Sequence, residues 1–316
     1  MTRWRIVADV GGTNKRFAAS DAPGRVTRVR RVPTYSGASF VDALIGWLVE
    51  IGKDTSLASC DGVGIAAAGP VEKGSVELTN GGLAIDASEV SSRLGGVRCD
   101  LVNDLTAVAM LLPHVAACEL TAIGDVRLHT SHAARLAINI GTGFGAASSM
   151  PIGDGRWLAS SSEAGHMTMT ASLADEMPLL WNFTSIEDVL SGRGLVRLFE
   201  RLAEDRVGSS AQARNIPALD DIFALVGRDP FADKLEDTTT RLLGRIAGDL
   251  VLATGAWGGA FFCGSVATGW AAVANRAKFR DAFEAKGAMS PRMRTVPTCA
   301  IQLDVPALHG LTYGCQ

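Results

Sequence analysis

The sequence has little that would tie it to nucleic acid, to a metal cluster or to a membrane. Its 30 lysines and arginines are outnumbered by 33 aspartates and glutamates, for a net charge of −3, and no basic stripe gathers them. A nucleic-acid partner is therefore not expected. Six cysteines, Cys60, Cys99, Cys118, Cys263, Cys299 and Cys315, lie scattered, and none forms a C-x-x-C pair. That spacing offers no zinc site, and the five histidines do not complete one. Scattered thiols suit a reducing, cytoplasmic compartment. A signal peptide is not expected, because Arg3, Arg5 and Asp9 interrupt any apolar run at the N-terminus. Nor is a membrane span: the charge-free segment between Asp249 and Arg276 carries Gly255, Gly258, Gly259, Gly264 and Gly269. These divide it into helix, strand and helix, whereas a bilayer requires one apolar helix of about 20 residues.

The 316 residues are 47% hydrophobic and 20% charged, enough for two domains and a sizeable core. The 35 glycines fall largely in Gly-Gly or Gly-x-Gly clusters, which fits an α/β protein with ligand loops better than a helical bundle. One such cluster follows an apolar, β-branched run: Ile6-Val7-Ala8-Asp9-Val10-Gly11-Gly12-Thr13-Asn14-Lys15-Arg16-Phe17-Ala18. It reads as strand, turn, strand. Gly11 and Gly12 allow positive φ and close approach of a ligand. Thr13 and Asn14 add a hydroxyl and an amide beside backbone N–H groups that can converge on a phosphate. Asp9 could hold the cation that neutralises such phosphates. A Gly-Gly between two strands is by itself only a hairpin turn. The acid before it and the Thr-Asn after it favour nucleotide binding.

The same design recurs at Leu136–Ile140, Gly141-Thr142-Gly143-Phe144-Gly145 and Ala146–Met150. Two copies of one strand–turn–strand unit suggest a duplicated fold with ligand between the copies. Around the first copy the pattern predicts strands at Arg25–Val32, Val63–Ala68, Ser75–Leu78 and Cys99–Val102, and helices at Phe40–Ile51, Ala87–Leu94 and Leu105–Leu112. Around the second it predicts strands at Arg156–Ser160, Ala260–Cys263 and Ala300–Leu303. Helices are expected at Ala171–Trp181, from Thr184 onward, after Ser191–Gly194 to about Glu204, and over Leu219–Val226, Leu235–Trp257, Val266–Ala274 and Pro306–Gly314. Gly208–Asn215 reads as a polar surface loop. The fold class is α/β, with mixed sheets flanked by helices. Its domains are expected to be residues 1–107 with 305–316, and residues 108–304.

Three polar sets sit at strand ends or helix starts: Asn103-Asp104, Glu163 with His166, and Glu187. Such positions face a crevice in open α/β sheets, and a sugar, whose hydroxyls both donate and accept, needs a set of this kind. Taken singly, each has a plainer reading. Asp104 fits a helix cap, Glu187 a first-turn acid, and His166 a core imidazole. Together with two phosphate-type turns they favour a sugar site.

On these residues the chain resembles the bacterial ATP-dependent glucokinases of the hexokinase/actin-like ATPase superfamily. The resemblance covers nearly the whole length. It is anchored by Asp9-Val10-Gly11-Gly12-Thr13-Asn14 with Arg16, Asn103-Asp104, Gly141-Thr142-Gly143, Glu163-Ala164-Gly165-His166 and Ser185-Ile186-Glu187. It implies a two-domain actin-like (ribonuclease H-like) fold with a duplicated mixed-sheet unit and an interdomain cleft. It implies Asp104 as catalytic base on the sugar 6-hydroxyl, and Asn103, Asp104, Glu163, His166 and Glu187 as ligands of the hydroxyls. ATP would be held at Gly11, Gly12, Thr13 and Asn14 and at Gly141, Thr142 and Gly143, with Gly264 and Ser265 near the adenosine and Asp9 near Mg²⁺. Glucose and ATP are the implied partners, the compartment is cytoplasmic, and a homodimer fits the family's habit. The chain departs from the family at Ser265, at Gly81-Gly82-Leu83 where a tryptophan is usual, and at Leu303–Gly310. A kinase for another hexose or amino sugar, and a non-catalytic sugar-binding regulator, are the alternatives those departures leave open.

Overall fold

The computed structural model describes residues 3–35, 37–52, 57–78, 82–128, 132–169, 180–207 and 218–314. Thr79, Asn80 and Gly81, residues 171–179 of the expected helix and the polar loop at 208–215 lie outside them. The chain divides into two compact units: residues 1–114, 152–161 and 304–316 in the first, residues 115–151 and 162–303 in the second.

The first unit is built on a five-stranded sheet of β1 (Trp4–Val10), β2 (Asn14–Ala22), β3 (Arg25–Pro33), β4 (Cys60–Ala67) and β7 (Cys99–Asn103), in the order β3-β2-β1-β4-β7. A small pair, β5 (Ser75–Glu77) and β6 (Ala84–Asp86), lies outside it. β1 runs antiparallel to β2, and β1, β4 and β7 are mutually parallel. The consecutive buried residues Ile6, Val7 and Ala8 of β1 and Ile65, Ala66 and Ala67 of β4 let both faces be covered, as a parallel sheet requires. On one face, Ile6, Ala8 and Val10 join Val63, Ile65 and Ala67 in a core with Phe40, Leu44 and Trp47 of helix α1 (Phe40–Ile51). Phe17 stacks on Trp47 there, with ring centroids 6.0 Å apart. Against the sheet also pack α2 (Ala87–Arg93), α3 (Asp104–Leu111) and the C-terminal helix Pro306–Leu311, of which the last two lie on each other. α1 has the bounds its apolar spacing predicts: Ser39 accepts from Asp42 N at its start, and Gly52, at φ 94°, ends it.

A second sheet is formed by β8 (Leu120–Ala122), β9 (Arg135–Ile140), β10 (Phe144–Gly153), β11 (Arg156–Ser162), β12 (Ala260–Cys263) and β13 (Thr298–Ile301), in the order β11-β10-β9-β12-β13-β8; apart from residues 152–161 it belongs to the second unit. β9 pairs antiparallel with β10 and parallel with β12, which is parallel to β13. Leaving out β8, this is the strand order of the first sheet, so the duplication read from the two glycine turns extends to the whole sheet. The core joins Ile138, Ile140 and Phe262 to Leu242, Leu243 and Ile246 of the helix Pro230–Thr254, and to Trp270, Phe279 and Phe283. The charge-free segment after Asp249 is the end of that helix, then β12, then the helix Ser265–Val273, as its glycines predict. Among the described residues no helix is long and apolar enough to cross a membrane.

Close helix contact makes one glycine indispensable. A Cβ at Gly310 would overlap the Ala107 carbonyl oxygen of α3. Gly310→Ala is predicted to force the two helices apart and to destabilise the protein by about 3 kcal/mol, the upper range for overpacking. Urea unfolding measures it; a change below about 0.5 kcal/mol would contradict the contact.

Candidate active site

In both sheets the strand that opens the first hairpin, β1 or β9, ends on a glycine turn, and in each unit that turn is held by a side chain from elsewhere in the same unit. In the first, the turn between β1 and β2 closes with Gly11 N donating to Asn14 O at 2.9 Å. Thr34, buried just beyond β3, grips it twice: its hydroxyl donates to Gly11 O at 2.6 Å and its N–H to Thr13 O at 3.0 Å. Neither Gly11 nor Gly12 takes positive φ, contrary to the expectation from their conformational freedom. At Gly11 a Cβ would make only ordinary contact with Asn14 O at 3.6 Å, so what Gly11 offers is room for a ligand beside the backbone. Gly12 and Thr13 are exposed.

Asp9 faces Arg16 across the hairpin register and accepts from its guanidinium at 2.7 Å. Burial holds the Asp9 carboxyl above the usual aspartate value, and the Arg16 charge and hydrogen bond pull it back. A single, partly neutralised carboxylate suits Mg²⁺, which keeps most of its waters and phosphate ligands and takes one or two protein carboxylates. Among the described residues no group of three or more His, Cys, Asp or Glu is placed to hold a metal. Asp9 therefore fits an ion that arrives on a nucleotide, and not one held by the protein alone.

The carboxyl ends of β4 and β7 lie along the same edge as the Gly11 turn. Ala68 N donates to Val10 O at 3.0 Å, and Asn103 Nδ2 to Gly69 O at 3.1 Å. Asp104 is not itself the cap residue of its helix. Asn103 is the cap of α3, its Oδ1 accepting from Leu105 N at 2.9 Å and Thr106 N at 3.3 Å. Asp104 is the first helical residue, where the helix dipole favours a carboxylate. Its Oδ1 accepts from Leu105 N at 2.8 Å, and its side chain is half-buried.

In the second unit the turn after β9 closes with Gly141 N donating to Gly143 O at 3.0 Å, and Gly192 N donates to Gly141 O at 2.8 Å. Thr142 at its tip is exposed. Glu187 braces this turn. Its Oε2 accepts from Phe144 N at 2.9 Å and stands where a Cβ on Gly143 would lie 2.6 Å away, while Oε1 pairs with Arg193 at 2.9 Å. A residue expected to face a sugar is thus also the support of a phosphate-type turn. Glu163 and His166 belong to a short turn held against the same helix start: Ile186 N donates to Met167 O at 3.1 Å, and a Cβ on Gly165 would approach Glu187 Cβ to 3.4 Å. Both side chains are exposed, so His166 is not a core residue. Gly264, at φ 93°, is fixed by its surroundings, since a Cβ would overlap Ile140 O and sit 2.5 Å from Asn139 Oδ1. That brings the Gly264-Ser265 turn beside the Gly141 turn, with Ser265 exposed at the start of the helix Ser265–Val273.

Sequence reasoning missed three members of these arrangements. Thr34 lies 20 residues past Asn14, with no pattern linking the two. Arg193 follows Glu187 by six residues, beyond helical spacing. Lys15 adjoins the turn itself: it is fully buried, donates to Thr34 O at 3.3 Å, and burial lowers its ammonium below the usual lysine value.

The helix Ile186–Val189 that carries Glu187 starts on a capping box. Asp188 Oδ2 accepts from Thr184 N and Ser185 N, each at 3.0 Å, and from the Thr184 hydroxyl at 2.6 Å, while Ser185 accepts from Asp188 N. These bonds hold the Asp188 carboxyl down at about 2. A folded value below the unfolded one gives stability that is present above about pH 4 and lost as pH falls toward 2. Asp188→Asn is therefore predicted to lower the thermal midpoint at pH 7 and to make a smaller difference at pH 3. Thermal unfolding at the two values checks it, and an equal difference at both would refute the assignment.

The family model described as Glucokinase matches residues 6–316. A glucokinase of Nitrobacter hamburgensis is 32% identical over 317 residues, covering 98% of this chain and 97% of that one. The crystal structure of a glucokinase from an Antarctic psychrotroph superposes with a TM-score of 0.82 at 26% identity, over 98% of each chain. A ROK family glucokinase from Streptomyces griseus, in complex with glucose and AMPPNP, shares the fold at a TM-score of 0.65 and 22% identity, over 98% of each chain. Two units with the same strand order, each ending on a braced glycine turn, are thus the two-domain actin-like ATPase fold, and the chain belongs to the glucokinase family of sugar kinases.

Proposed function

We propose that the chain transfers the γ-phosphoryl group of ATP to the 6-hydroxyl of D-glucose, giving glucose 6-phosphate and ADP. The observation that carries this reading is the placement of Asp104. With Asn103 capping α3, the Asp104 carboxylate stands in the helix's first turn, accepting from Leu105 N, on the edge shared with the Gly11 turn. Asp104 accepts the proton of the 6-hydroxyl as the bond from that oxygen to the γ-phosphorus forms and the bond from phosphorus to the ADP oxygen breaks. Such a transition state is loose, so most of the catalysis is positioning and electrostatic stabilisation.

Asn103, Glu163, His166 and Glu187 bind the remaining hydroxyls in this reading. The Asn103 amide carries two N–H donors, of which one goes to Gly69 O. Glu187 keeps lone pairs beyond those used by Phe144 N and Arg193. Backbone N–H groups at Gly11–Asn14 and Gly141–Gly143 receive the phosphates, with Gly264 and Ser265 toward the adenosine. Mg²⁺ bound with the nucleotide would neutralise phosphate charge, with Asp9 the residue nearest to hold it. The Streptomyces griseus relative binds glucose and AMPPNP, the pair assigned here. Use of ATP and the scattered thiols suit a cytoplasmic protein.

A coupled assay for ADP, run with glucose, mannose, fructose and glucosamine, tests the substrate. Glucose is predicted to give the highest kcat/KM. A tenfold better rival hexose would replace the substrate, and glucose binding without ADP formation would replace the enzyme by a sugar-binding regulator. Asp104→Asn is predicted to lower kcat by about 10³-fold, within the range for loss of a general base, while glucose still binds by calorimetry. Near-normal turnover would remove Asp104 from that role.

A further inference from the structure

A buried cation lies behind the Gly11–Asn14 turn. Lys15 opens the second strand of the hairpin, pairs in register with Val10 on one side and Val32 on the other, and has no solvent exposure. Among the described residues no carboxylate forms an ion pair with it, and its ammonium donates to Thr34 O at 3.3 Å. Lysine is almost never fully buried unless paired, and an unneutralised ammonium in apolar surroundings is costly. One long hydrogen bond to a carbonyl does not offset that cost, so the fold alone gives no reason for a lysine here.

The neighbourhood of Thr34 supplies one. The residue that Lys15 holds by its carbonyl is the residue that holds Gly11 O through its hydroxyl and Thr13 O through its N–H. The ammonium thus stands one residue behind the turn, where the surrounding protein screens its charge far less than water and salt would. We propose that Lys15 is a positioning residue for the nucleotide: it fixes Thr34, and through it the Gly11–Thr13 backbone, and it places a buried positive charge behind the phosphates received there. This rests on the reading of that turn as a phosphate site.

Lys15→Met keeps the stem volume and removes both donor and charge. It is predicted to raise the KM for ATP, and the calorimetric Kd for AMPPNP, at least about fivefold, with kcat and the KM for glucose within about twofold. Its thermal midpoint should equal or exceed that of the unmodified protein, because removing a buried ammonium that has no ion pair relieves a desolvation cost larger than the one long hydrogen bond to Thr34 O that is lost. A merely structural lysine would instead lower the midpoint and move all the kinetic constants together, and that result overturns the proposal. So does an ATP KM and AMPPNP Kd within about twofold of normal. Should Lys15→Met fail to fold, Thr34→Val carries the same test, since it removes the hydroxyl that links the lysine to Gly11: a rise confined to the nucleotide supports the proposal and no rise overturns it. If the unmodified protein binds AMPPNP but phosphorylates no sugar, the functional reading fails while the Kd comparison still decides the role of Lys15.

Discussion

Each glycine turn in this protein would be a loose hairpin if nothing held its carbonyls and N–H groups in place. Thr34 holds one through two hydrogen bonds, and Glu187 holds the other through Phe144 N and by lying where Gly143 has no side chain. A backbone cradle for phosphate works only if its donors are aimed before the ligand arrives, because reorganisation at the moment of binding or reaction weakens it. The two braces are chemically unlike, a neutral hydroxyl and a carboxylate, but each comes from a segment packed into its own unit's sheet or helix start. Secondary structure therefore does more than present the turns. It supplies the second layer of side chains that keeps them rigid.

Charge follows the same economy. Asp9 and Arg16 pair across the first hairpin, Glu187 and Arg193 pair beside the second, and Asp104 accepts from Leu105 N in the first turn of its helix. Of the acidic groups assigned to chemistry, Asp9, Asp104 and Glu187 are thus anchored on the backbone or on an arginine before any ligand binds. Lys15 is the exception among the charged groups of the site, buried without an acid among the described residues, and that asymmetry is why it points to a ligand rather than to the fold.

Much of this was legible in the sequence. The paired turns announced the duplication, and α1 ran between the Ser39 cap and Gly52 as its apolar spacing required. Other elements were hidden for identifiable reasons. The helix Pro230–Thr254 begins five residues before its apolar pattern, on an Asp229-Pro230 start that also reads as a turn; the Asp229 side chain caps it by accepting from Phe231 N and Ala232 N. The helix Arg276–Glu284 has a face of only Phe279 and Phe283 with the buried Arg280 between them, too narrow a stripe to stand out. β6 and β8 are three residues long and owe their existence to their partners in the sheet. In the site, the residue types at strand ends were readable, whereas the braces were not, because Thr34 and Glu187 reach their turns through tertiary packing that leaves no periodic trace.

All of these arrangements serve one claim, that a hexose oxygen is made nucleophilic beside a nucleotide's terminal phosphate. Phosphorus NMR of the product formed from ATP, Mg²⁺ and glucose labelled with ¹³C at carbon 6 tests it most directly. The account predicts a single phosphate monoester coupled to the labelled carbon, with ADP appearing in equal amount. A phosphate on another oxygen of the sugar, or ADP formed with free phosphate and no sugar ester, would contradict it.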